Sequence, residues 1–167
     1  MKLGVMEMDA FCFTILAEKI DNNPEFKDKI MNIEKFESLI HQDFFERNDN
    51  FAYWLNFYHL HIWMVKHHAN WNDKNQIQYC RLKNEDLDKL WIDFDLDNLD
   101  QMLNTTQSNY IKSNLVHSYF KINKFVNYLT FSRYLKIKKE HLIQLKQFIL
   151  DAKAAIKNGL AVFYVDF

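Results

Sequence analysis

Glycine and proline are nearly missing: 167 residues hold two of the first and one of the second, against average usage of about 7% and 5%. That scarcity argues against turn-rich sandwiches and barrels, collagen-like repeats and glycine-cradled nucleotide folds, which all need tight or left-handed backbone. Cysteine is scarce too. Cys12 and Cys80 lie 68 residues apart in no CxxC motif, so no disulfide framework or zinc ribbon is indicated, although a single bridge between them stays open. Cys12 sits in an apolar run, where a free thiol behaves as a small hydrophobe. A reducing, cytoplasmic compartment is the expectation.

Arginine numbers only three, which poorly supplies the bidentate forks used to grip phosphate and guanine. The most apolar window, residues 51–65, contains Asn56, His59 and His61 and falls short of the about 20 apolar residues of a membrane span. Glu7 and Asp9 interrupt the apolar core that a signal peptide would need. Nor does the chain have the composition of a disordered one, with 49% hydrophobic and 16% aromatic residues. Against three Arg and eight Ala stand 17 Asn, a usage that suggests an AT-rich bacterial or phage genome.

Formal charge is nearly balanced at −1, but its distribution is not. Residues 1–111 carry 11 basic and 19 acidic side chains, whereas 112–157 carry 10 basic and 2 acidic. The chain is strongly dipolar along its length.

Apolar spacing and the lack of helix breakers predict an all-α fold. The expectation is one domain over 1–167, a bundle of about six helices, with helices over residues 5–20, 25–46 (one broken or two short), 51–69, 85–94, a short one from Asp97, 108–136 and 138–157. Residues 51–69 are apolar nearly all round, as in a buried central helix. Pro24 suits a first helical position, and Asn84 an N-cap. Leu115, Tyr119, Ile122, Val126 and Leu129 form one seam and Leu142, Leu145, Ile149, Ala152 and Ile156 another. The last two helices should form an antiparallel hairpin, ended by a C-cap at Asn158–Gly159. The tail, residues 160–167, is rich in β-branched and aromatic side chains and reads as a short strand or extended segment.

Seven histidines raise a metal-site reading, with His59, His61, His67 and His68 as candidate ligands. Helical metal sites want partners at i,i+3 or i,i+4, and only Glu37 and His41 have that spacing. His41 and His117 are the candidates for a general base. Neither a metal nor another cofactor is expected. Asp93, Asp95 and Asp97 resemble the start of a calcium loop, but the required Gly and Glu are replaced by Asn98 and Asn104. No GxSxG elbow, no reactive-Cys signature and no Arg followed four to six residues on by His occurs. Catalysis is therefore disfavoured.

The strongest surface signal is residues 84–100, where Glu85, Asp86, Asp88, Asp93, Asp95, Asp97 and Asp100 face a single Lys89. Complementary charge speeds association and selects partners, and Trp91 among these acids has the chemistry of an interface anchor. The plainer reading is a solvated face, paired internally with the basic C-terminal segment and with Trp91 in the core. That segment, with Lys139, Lys146 and Lys153 at heptad spacing, Lys121, Lys124, Arg133, Lys136 and Lys138 beside them, and Tyr128, Phe131 and Tyr134 interspersed, could also serve a single-stranded nucleic acid.

No motif resembles a known family closely enough to name one. The function expected is a cytoplasmic protein-binding module that sequesters or inhibits a basic partner, a toxin or nuclease, in the manner of immunity proteins and antitoxins. Its docking residues would be Glu85, Asp86, Asp88, Trp91, Asp93, Asp95, Asp97 and Asp100, and reversing Asp93, Asp95 and Asp97 to Lys should abolish the complex. A His-based metal enzyme and a nucleic-acid-binding domain are the alternatives. A membrane partner is not expected, and homodimerisation is left open.

Overall fold

The computed structural model describes residues 9–22, 30–32, 48–55, 57–67, 78–105, 107–112 and 136–166. The chain divides into two compact units, residues 1–84 with 152–167, and residues 85–151.

The first unit is built on an antiparallel sheet. In chain order its elements are β1 (Asp9–Leu16), α1 (Ala17–Asp21), β2 (Ile30–Asn32), β3 (Asn48–Leu55), α2 (Tyr58–His67), β4 (Gln78–Leu82) and, at the C-terminal end, β7 (Leu160–Asp166). The strand order is β2-β4-β7-β1-β3. Thus β7, the last of these strands in chain order, stands in the middle, between β4 and β1. Cys12, Phe13, Thr14 and Ile15 of β1 and all residues from Ala161 to Val165 of β7 are buried. Successive side chains on a strand point to opposite faces, so both faces of these two strands are covered. Phe13 and Phe163 are register partners, and their rings stack with centroids 5.2 Å apart.

The opposite face carries Cys12, Tyr164 and Cys80 in one register row. Both cysteines are free and buried. They flank β7 from either side, and two strand spacings of about 4.8 Å set their Cα atoms roughly 10 Å apart, beyond the about 7 Å that a disulfide spans. The bridge left open by the sequence is therefore ruled out by topology. Burial, and secondarily the nearby Cys80, push the Cys12 thiol pKa well above its ordinary value.

The second unit holds α3 (Asn84–Asp93, entered from the first unit at its first residue), a 3₁₀ turn (Leu96–Asn98), α4 (Leu99–Thr105), a two-stranded ribbon of β5 (Tyr110–Lys112) and β6 (Lys136–Lys138), and the start of α5 (Lys139–Lys157). The unit boundary falls within α5, between Asp151 and Ala152. Leu87, Leu90, Phe94, Leu96 and Leu99 are buried, as are Leu142, Leu145, Phe148 and Ile149 at the three- and four-residue spacings of an inward helical face. Ile111 and Ile137, also buried, face each other across the ribbon. The Lys139 ammonium donates to the Leu103 carbonyl at 3.0 Å, satisfying one of the acceptors that the end of α4 leaves without a helical partner.

This mixed α/β architecture overturns the all-α bundle. Among its described residues, the expected helix over residues 5–20 is strand from Asp9 to Leu16 and helical from Ala17 onward; that over 51–69 begins as strand β3 and turns helical at Tyr58. Ile30–Asn32, expected within a helix, is strand. The C-terminal helical hairpin is replaced at its base by the β5–β6 ribbon, and residues 113–135, which carry its first seam, lie outside the described residues. So does Pro24. The helix expected over 85–94 is present as α3, with Asn84 its first residue rather than the cap before it; α5 runs to Lys157 as expected, and Gly159 follows with φ of +81°. The tail is indeed a strand, and an interior one. Among the described residues no helix is long and apolar enough to cross a membrane.

Candidate functional site

The acidic segment is three short elements. Residues 84–94 form α3 and its first turn outward; its inward side chains are Leu87, Leu90 and Phe94, together with Asp86, which is only 6% exposed. Acids at Glu85 and Asp86 suit the positive end of the helix. Three- and four-residue spacing then places Glu85, Asp88, Lys89 and Ile92 on one outward stripe, and all four are exposed. Ile92 is 73% exposed, the most open of the large apolar side chains among the described residues.

Asp95 reverses the chain between α3 and the 3₁₀ turn. Its φ of +52° is left-handed, a conformation that Asp and Asn tolerate better than other non-glycine residues. Its carboxylate accepts from the Asn98 amide at 2.8 Å, and its carbonyl from the Asn98 N–H at 3.1 Å. The calcium-like alternation Asp93-x-Asp95-x-Asp97 is thus a chain reversal.

Trp91 is half-buried beside this turn. Its indole N–H donates to Asp97 Oδ1 at 2.8 Å. The Lys146 ammonium of α5 stands 5.7 Å from the ring centroid and 3.9 Å from Asp100 Oδ2. The cation therefore binds both a π face and a carboxylate, contacts worth up to about 1 kcal/mol each where exposed. Acidic segment and basic helix do meet, at Lys146. Lys139 is engaged with Leu103. Lys121, Lys124, Arg133, Tyr128, Phe131 and Tyr134, and with them most of the expected cationic groove, lie outside the described residues.

The predicted docking residues therefore separate by task. Glu85 and Asp88 face outward, Asp86 is interior, and Asp93 is half-buried. Asp95 shapes the turn, Asp97 holds Trp91, and Asp100 meets Lys146. Reversal of Asp95 or Asp97 would disturb the turn itself, which makes Glu85 and Asp88 the better positions for testing charge. Ile92 was not among the predicted docking residues, although its place seven residues after Glu85 put it on the polar face. In the sequence Lys146 reads only as part of a basic stripe.

The histidines give a different picture. His59 is buried, its ring tilted against Phe57 with centroids 6.4 Å apart, and His67 stacks on Trp63 at 4.2 Å. His59 and His61 are two residues apart on α2, hence roughly 200° apart around it. His41, His68 and His117 lie outside the described residues. Among the described residues no three His, Cys, Asp or Glu side chains are grouped to hold a metal ion. No protein-family model, curated protein or solved structure matches the chain.

Proposed function

We propose that the chain is a cytoplasmic protein-binding module that sequesters or inhibits a basic partner, as small immunity proteins and antitoxins do, and that it docks through the outward face of α3. The observation that carries the reading is Ile92, a large apolar side chain 73% exposed on a helical face that also presents Glu85 and Asp88. Complementary charge on a partner would steer encounter and set orientation, while an apolar side chain entering a pocket supplies the desolvated contact that dominates interface energies. Trp91, clamped by Asp97 and Lys146, adds a half-buried aromatic on the same helix that would lose little freedom on binding. The two free, buried cysteines suit a reducing compartment.

The test is native mass spectrometry of the protein captured gently from its source lysate, run in parallel on the wild type, the Glu85→Lys/Asp88→Lys variant and Ile92→Ala. The expected result is a stoichiometric complex with a basic protein, lost in the double reversal and weakened about tenfold or more in Ile92→Ala, a change equal to about 1.4 kcal/mol. Circular dichroism should show all three folded. Recovery of the wild type as bare 20.3 kDa chains, or equal retention of the partner by both variants, would overturn the proposal.

A further inference from the structure

We draw no further inference here: the strongest candidate, the outward stripe of Ile143, Gln147 and Leu150 on α5, leaves about half of both apolar side chains open, yet nothing in the structure shows what covers it.

Discussion

β7 and α5 are neighbours in the chain, joined through Gly159, and they use apolar residues in opposite ways. From Ala161 to Val165 every side chain of β7 is buried, so the strand has no solvent face. Along α5, buried Leu142, Leu145, Phe148 and Ile149 alternate with exposed Glu140, Ile143, Gln147 and Leu150. A strand enclosed on both sides makes every residue structural, whereas a helix on a surface confines that demand to one stripe. The largest expected effect follows. Phe163→Ala removes a ring stacked on Phe13 and should destabilise by about 3–5 kcal/mol, while Leu150→Ala, at a half-exposed position, should cost below about 1 kcal/mol. Urea unfolding of the two variants checks the contrast. Equal costs would mean that β7 is not enclosed on both faces.

That contrast also explains which parts of the fold were legible in the sequence. α3, α4 and α5 have a wet side, so polar residues interrupt the apolar ones with a period that only a helix explains. β1 offers Ala10 to Leu16 with Thr14 as its one polar residue, and an apolar run without interruption fits a buried strand as well as a buried helix. Scarce glycine and proline weigh toward helix for such a run. That scarcity does not exclude a sheet, because an antiparallel sheet can be assembled from distant segments, so few of its connections need to be tight hairpins: β7 pairs with β1 and β4, both far from it in sequence. The tail reads as strand-like from Val162, Phe163, Tyr164 and Val165, but its central position is a long-range property that local pattern does not carry. At the candidate site the acidic residues were plain from composition. The distinction between outward Glu85 and inward Asp86 needed the helical register, and the left-handed turn at Asp95 needed coordinates.

Where the helix passes into the strand, a second and smaller effect is expected. Gly159 takes φ of +81°, and its carbonyl accepts from the Ala17 N–H at 2.8 Å, tying the end of α5 to the start of α1. A Cβ there would meet nothing within 4 Å, so the cost of Gly159→Ala is conformational rather than steric with neighbours. It should amount to about 1–2 kcal/mol, read as a lower unfolding midpoint at unchanged denaturant dependence. A neutral substitution would show that the connection relaxes out of the left-handed region.

The outward and inward sides of α3 repeat the comparison within one helix. Ile92→Ala deletes a side chain that faces solvent and replaces it with a better helix former, so stability should change by less than about 0.5 kcal/mol. Leu90→Ala, from a fully buried position, should cost about 2–5 kcal/mol by the same cavity argument as Phe163. A thermal melt of Ile92→Ala that falls as far as that of Leu90→Ala would place Ile92 in the core and remove the apolar part of the proposed docking face.

Another small effect lies at the rim of the first unit, where Asp21 at the end of α1 pairs with Arg81 of β4. Arg81 Nη1 hydrogen-bonds Asp21 Oδ1, and Nη2 donates to Oδ2 at 3.4 Å. This hydrogen bonding, reinforced by the charges of Arg81 and Lys83 and opposed by slight burial, holds the Asp21 pKa below its ordinary value. A carboxyl with a lower pKa when folded than when unfolded adds stability that is fully present above the unfolded value of about 3.9, and loses it as pH falls through the folded value. The Asp21 side chain is 56% exposed, so water and salt screen the pair, and its contribution should be a few tenths of a kcal/mol, up to about 1. Asp21→Asn should therefore lower the melting temperature slightly at pH 7, and the difference should shrink as pH falls through the lowered folded value. Added salt should shrink the difference at pH 7. A gap between variant and wild type that persists undiminished as pH falls would assign the effect to lost packing or backbone geometry, and the ion pair would then contribute nothing of its own.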